Sequence, residues 1–308
     1  MPGYELLLLQ LINGITLGGI YALIALGYTM VYGIIELINF AHGDVFMLGS
    51  FIAVSLLGAV GLTHTLHGVE LVAALLALLL LTGTLTGLVG VVIERVAYRP
   101  LRKAPKLAPL ISAIGVSFIL QNVVFVWRGP NNQRFPNILP NPTLDIGQVT
   151  ITTKEALIVF SSLLLMLVLR TFIQRTRLGK AMRATAQDPE AAALMGINVN
   201  LTIALTFFIG SLLAGVAGII YGLYYNSIRF NIGYDAGLKA FTAAVLGGIG
   251  NITGAMSGGF LIGIISSLAT QYLPNGDAWA NAVVFAILIL VLVFRPQGLL
   301  GQRLPERA

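Results

Sequence analysis

An all-α, polytopic membrane protein is the fold class this sequence predicts, and three observations predict it. Mean hydropathy is +0.90. Charged residues make up only 10% of the 308-residue chain, whereas a soluble domain needs roughly 25%. The charges also fall in blocks, leaving residues 6–35, 71–93, 107–127, 191–228, 240–276 and 278–294 free of Asp, Glu, Lys and Arg. A spanning helix takes about 20 mostly apolar residues. The chain is therefore expected to form about eight transmembrane helices in a single transmembrane domain over 1–308, with one or two segments broken or re-entrant.

Each span follows from where the basic residues lie. Thirteen of the eighteen Lys and Arg residues sit in three short blocks. One holds Arg95, Arg99, Arg102, Lys103 and Lys106, a second Arg170, Arg175, Arg177, Lys180 and Arg183, and the third Arg295, Arg303 and Arg307. Short basic loops stay on the cytoplasmic side, so all three blocks are expected there and "MPGYE" outside. Spans near 6–32, 41–60 and 70–93 bring the chain to the first block. The next, 107–127, leads to an external loop over about 128–155, rich in Pro and Asn and read as a hairpin or irregular cap. Spans near 156–173, 201–225 and 278–294 complete the parity. The first is read as a retained span rather than a cleaved signal, because it lacks a basic leader and a small-residue cleavage site.

Residues 237–273 must begin and end outside, yet they carry six glycines between Gly247 and Gly259. Each glycine weakens a helix interior by up to about 1 kcal/mol, so two helices around an intramembrane break are expected. Such a break survives only where protein buries it or water lines it. The turn at 33–44 lacks Lys and Arg and is read as a partly submerged counterpart. Small residues four apart (Gly210, Ala214, Gly218 and Gly222; Gly250, Gly254 and Gly258; Gly14 and Gly18; Gly83 and Gly87) read as close helix contacts.

Several chemistries are excluded. The lone Gly-Lys pair, Gly179-Lys180, is followed by Ala181, so the chain has no phosphate-binding P-loop of its own. There is no H-E-x-x-H; His64 and His67 fall in a short external loop and read as solvated residues. Without cysteine neither a disulfide nor a thiolate metal site can form. The net charge of +6 is spent on topology, so nucleic acid is not an expected partner.

The stretch "INFAHGDVFMLGS" carries the sharpest polar signal. Asn39, His42 and Asp44 interrupt two apolar runs. Ionisable groups inside a membrane bundle are costly and mark transport paths; the same residue types also suit a hydrogen-bonded knot that fixes a turn. In the first case His42 and Asp44 would approach as a pair. Thr242 and Asn251 beside the glycine-rich break are further lining candidates. A second signal lies at about 181–200, too polar to span. Asp188 is placed to cap a short helix, with Pro189 first, Glu190 in the first turn and Gly196 at the end. It reads either as a surface loop helix or as a docking element for a cytoplasmic partner.

Over essentially its whole length the sequence resembles the LivH-type permeases of branched-chain amino acid ABC transporters. The stretches that carry the resemblance are Asn13–Ser50, "IERVAYRPLR", "LISAIGVSFILQN", "MGIN" and Lys239–Gly259, with the Asn-Phe-Ala-His-Gly-Asp run most specific. "EAAALMG" looks like the start of the coupling motif of importer permeases, without the "LP" that usually follows. The resemblance implies a non-enzymatic importer subunit for leucine, isoleucine and valine in the bacterial inner membrane. Its partners would be a paralogous LivM-like permease, two ABC ATPases that bind the ATP and Mg, and an external solute-binding protein. Asn39, His42 and Asp44 would then line the path, and Asp188, Glu190 and Gly196 would couple it to the ATPases. The same architecture serving urea, amides or other amino acids is an alternative, as is a stand-alone secondary transporter or channel.

Overall fold

A computed structural model describes residues 3–105, 107–146 and 149–301. Lys106, Arg303 and Arg307 of the basic blocks lie outside the described residues. Within them the chain forms helices α1 (Gly3–Ile35), α2 (His42–Val60), α3 (Gly68–Ile93), α4 (Leu107–Arg128), α5 (Thr153–Arg175), α6 (Arg177–Gln187), α7 (Pro189–Leu194), α8 (Val199–Tyr225), α9 (Ile232–Gly247), α10 (Ile252–Tyr272) and α11 (Gly276–Phe294). Seven are long and apolar enough to cross a membrane, α3 together with its extension to Leu101, and α11 is a shorter apolar helix. With α11 the count matches the expected eight.

The loop after α4 takes part in two small antiparallel pairs, one of them with the strand that follows α8. Strand β1 (Gln133–Arg134) pairs with β4 (Ser227–Ile228), and β2 (Thr143–Ile146) with β3 (Val149–Thr152). Phe135, buried in this cap, packs where a Cβ on Gly222 would sit. The loop after α4 thus seats on the end of α8.

The bundle centres on α1 and α8. Helix α1 runs antiparallel to α10 at nearly backbone contact: a Cβ on Gly263 would lie 2.3 Å from Gly18 Cα, and one on Gly14 2.6 Å from Ile264 Cα. In lipid no hydrophobic drive separates helix from solvent, so small residues that admit such contact supply the packing. The ladder of α8 behaves likewise, with Gly210 against Gly27, Gly218 against Phe46 and Gly222 against Phe135, and the neighbouring Gly215 meets Gly49 and Thr86. Helix α4 is peripheral; much of its apolar surface, including Ile111, Phe118 and Val126, is exposed.

The glycine-rich break is real but sits elsewhere than expected. Helices α9 and α10 fold back on one another, Gly258 against Ala243 and Gly254 against Gly247. Gly248 and Gly250 in the turn have φ of 106° and 91°, values that favour glycine. The turn lies at the end of the bundle, against the tail. Leu299 and Leu300 donate their backbone N–H groups to the carbonyls of Leu246 and Gly247 at 2.8 and 3.0 Å. Arg183 of the second basic block lines the same recess as Gly250. The break is therefore a turn at the end of the bundle that carries the second basic block, where glycines let two helices and a tail converge. Helix α9 is the half-length element: its 16 residues cover only about 24 Å, and it starts inside the bundle.

The counterpart at 33–44 is re-entrant. Helix α1, 33 residues long, spans roughly 50 Å and ends at Ile35. Glu36 turns the chain with φ 53°. Residues 36–41 then climb back without regular structure, and α2 begins with His42 beside Gly27, about 12 Å before the end of α1.

Candidate functional site

Two helix N-termini meet within the bundle. Helix α2 starts at His42 and α9 at Ile232, and neither Ala41 nor Asn231 supplies a side-chain cap. Glycines let them touch: a Cβ on Gly43 would lie 2.3 Å from the Gly233 carbonyl oxygen, and one on Gly237 2.9 Å from Gly43 Cα. Asp44, in the first turn of α2, sits at the junction, its Oδ1 only 2.6 Å from where a Gly233 Cβ would be. Each helix N-terminus carries about half a positive charge, so two of them offset a carboxylate that has no cation beside it. Asp44 is 1% exposed. Its Oδ2 accepts from the Ser117 hydroxyl at 2.5 Å, Gln121 donates to that hydroxyl at 3.2 Å, and Oδ1 has no hydrogen-bond partner.

Ser117 brings α4 to the junction and closes one side of a cleft of about 270 Å³. Asp44, Ser117 and Gln121 give it a polar floor, and Phe40, Phe118 and Leu238 stand among its apolar walls. Ser117 lies about 15 Å along α4, near the middle of this 22-residue helix. A cleft with a polar floor and apolar walls there can pass a small solute with an apolar side chain.

His42 does not pair with Asp44. Among the described residues the ion pairs are those of Glu94. The imidazole instead fills a slot between α1 and α8, where a Gly27 Cβ would lie 2.1 Å from Nε2 and 3.1 Å from the Gly210 carbonyl oxygen. It meets the Tyr28 ring edge-on at 4.8 Å between centroids. Neither ring nitrogen has a well-formed hydrogen bond, the backbone of Ile24 being close by. Asn39 is buried, and its Oδ1 accepts from the Tyr98 hydroxyl at 3.1 Å. The three sequence-predicted residues thus share one segment but face three neighbours.

The second-tier candidates lie apart from the cleft. The Thr242 hydroxyl is buried and donates to the Leu238 carbonyl of its own helix at 2.9 Å. Asn251 caps α10 by accepting from the Gly254 N–H at 3.1 Å and donates its amide to the Leu300 carbonyl at 2.6 Å. It fastens the tail to the α9–α10 turn.

The segment 181–200 folds as its residue pattern dictates. Asp188 Oδ1 accepts from the N–H groups of Glu190 and Ala191 at 2.9 and 3.0 Å, and Pro189 takes the first position of α7. Gly196 ends it with φ 83°, and Ile197 donates its N–H to the Ala192 carbonyl at 3.0 Å. Asn198 then caps α8. Leu194 and Met195 at the tip are 88% and 83% exposed. The segment thus presents a short helix, capped at both ends, with bare apolar side chains at the basic end of the bundle.

One constellation was missed from sequence. After Ile93 the chain makes a π-turn (Glu94–Tyr98) and a 3₁₀ turn (Arg99–Leu101). Glu94, 1% exposed, is held by Arg102 and lies 3.6 Å from Arg99. Arg102 also donates to Asn200 Oδ1 at 2.8 Å. Partial burial lowers the Arg102 guanidinium below its ordinary value, and the Glu94 charge opposes this. The available signal was a lone acid at the head of a basic block. Ser117 left no signal beyond being a hydroxyl in an apolar run.

Fold and site together define a polytopic helical permease, with a solute-sized cleft in the bundle and a protruding helix on its basic face. The family model for the branched-chain amino acid transport system permease component matches residues 10–292, and the chain belongs to that family. It is 48% identical to the high-affinity branched-chain amino acid transport system permease protein BraD of Pseudomonas aeruginosa, over 98% of each chain. It is 46% identical to the permease protein LivH of Escherichia coli K12, over 95% of each. Among solved structures, PsaBC from Streptococcus pneumoniae in complex with Fab aligns over 95% of this chain and 92% of that one, with 14% identity and a TM-score of 0.48.

Proposed function

We propose that this chain is the membrane subunit of an ATP-driven importer in the cytoplasmic (inner) membrane of a bacterium, and that its solutes are leucine, isoleucine and valine. The observation that carries the reading is α7: a helix capped at both ends that holds Leu194 and Met195 out from the bundle. Exposed apolar side chains on a small rigid helix need a partner groove. A chain without a P-loop needs a partner that hydrolyses ATP. Two ABC ATPases, binding the ATP and Mg, fill both needs. A paralogous LivM-like permease completes the membrane pair, and an external solute-binding protein delivers the amino acid.

Movement follows alternating access. The cleft at Asp44, Ser117 and Gln121 lies where α2 and α9 begin; of the segment 39–44, Phe40 and Asp44 line it, while Asn39 and His42 hold the segment from behind. Asp188, Glu190 and Gly196 shape the knob on which the ATPases pull. The apolar cleft walls suit a branched aliphatic side chain better than urea or a short amide. A secondary transporter would place ionisable groups along its helices for ion coupling, and 191–228 and 240–276 have none.

Co-elution tests the reading. A tagged chain expressed with its operon neighbours retains two ATPase subunits on purification, and the Leu194→Asp, Met195→Asp double variant loses them while its membrane level holds. ATPases that remain bound to the double variant would remove α7 as the docking element.

A further inference from the structure

The turn at 94–102 touches both the coupling segment and the re-entrant segment. At one end Arg102 donates to Asn200, in the first turn of α8, directly after the loop that ends the coupling segment. At the other end the Tyr98 hydroxyl donates to Asn39 Oδ1 at 3.1 Å and to the Ile38 carbonyl at 3.2 Å, in the re-entrant segment. Between them, buried Glu94 grips Arg102 from within the same turn. The Tyr98 ring packs on Phe207 of α8, 5.2 Å between centroids.

We infer that this turn relays motion of the coupling segment to the re-entrant segment, with Asn200, Arg102, Glu94 and Tyr98 as positioning residues. The inference rests on α7 being the ATPase dock. Its physical content is a short path: a side-chain bond at each end and, in the middle, an ion pair between buried Glu94 and partly buried Arg102. The π-turn helps, because one extra residue rotates everything after it by about 100° around the helix. Such insertions recur at functional sites. A path of this kind couples two sites only if it biases an element with two arrangements; the irregular segment 36–41, suspended between α1 and α2, is that element.

The test uses the whole transporter, both permeases and both ATPases, in proteoliposomes supplied with loaded binding protein. ATP hydrolysis and amino acid uptake are read on the same vesicles. Tyr98→Phe keeps the ring on Phe207 and deletes the bonds to Ile38 and Asn39. Asn200→Ala deletes the acceptor for Arg102 and leaves the Glu94 pair. Each is expected to assemble and hydrolyse ATP while uptake per ATP falls about fivefold or more. Because the contacts act in series, the double variant should be no worse than the poorer single one. Asn200→Asp, which restores an acceptor, should recover most of the ratio.

Wild-type uptake per ATP in both single variants would overturn the relay. So would a double variant whose loss is the product of the two singles, or loss of subunits from both variants, since the contacts would then hold only the fold. A failed dock is distinguished by the co-elution of the Leu194, Met195 double variant, which does not depend on Tyr98 or Asn200.

Discussion

His42 and Gly27 occupy one slot: a Cβ placed on Gly27 would lie 2.1 Å from His42 Nε2. The imidazole at the start of α2 is a wedge set against the backbone of α1, and the glycine exists to admit it. This contact holds the re-entrant segment at mid-depth, and with it the position of Asp44 in the cleft.

A double-mutant cycle follows from the wedge. Gly27→Ala should destabilise the complex by about 1–3 kcal/mol through overpacking, and His42→Ala by a similar amount through the void it leaves. Combined, the new methyl group enters space the imidazole vacated, so the double variant should be more stable than the sum by about 0.5–3 kcal/mol. Unfolding midpoints of the purified complex report the cycle. Strict additivity would show that the two residues do not share the slot.

Topology gives a prediction with a clean background, because the chain has no cysteine. Lys103, Arg177 and Asn132 are all exposed. Cysteines at Lys103 and Arg177 should react with an impermeant maleimide only in inside-out vesicles, and one at Asn132 should react in intact cells. Labelling of Arg177→Cys in intact cells would invert the arrangement and remove α7 from the cytoplasm.

Two glycine substitutions separate coupling from packing. Gly196 has open space around it but φ of 83°, so Gly196→Leu strains the end of α7 by about 1 kcal/mol or more. Uptake should fall with subunits still assembled. Gly58 is helical and also meets nothing within 4 Å, so Gly58→Ala should be neutral or stabilising by up to about 1 kcal/mol. Normal import by Gly196→Leu would show that the shape of this helix end is not needed for coupling.

The legible parts were those written in local patterns. Charge-free runs placed the spans, and Asp188, Pro189 and Gly196 wrote out α7 with both its ends, because capping acts over a few residues. The glycine-rich stretch announced a break but not its depth. Depth depends on the tail that Leu299 and Leu300 fold back onto Leu246 and Gly247, contacts between segments far apart in sequence. The same limit hid the Asp44–Ser117 and Arg102–Asn200 bonds. His42 and Asp44, two residues apart, invited a pairing that helix geometry denies: at that spacing side chains point to different faces. Asp44 found its hydrogen-bond partner on α4, and His42 packs against Gly27 and Tyr28 of α1.

The most direct test of the account is ATP-dependent leucine uptake by proteoliposomes holding this chain, its paralogous permease and both ATPases, with loaded binding protein outside. The account predicts leucine accumulation that requires ATP in the lumen, is competed by isoleucine and valine delivered on the same binding protein, and persists without any ion gradient. Uptake driven by a sodium or proton gradient in the absence of ATP would contradict it, as would ATP-dependent uptake of urea with none of leucine.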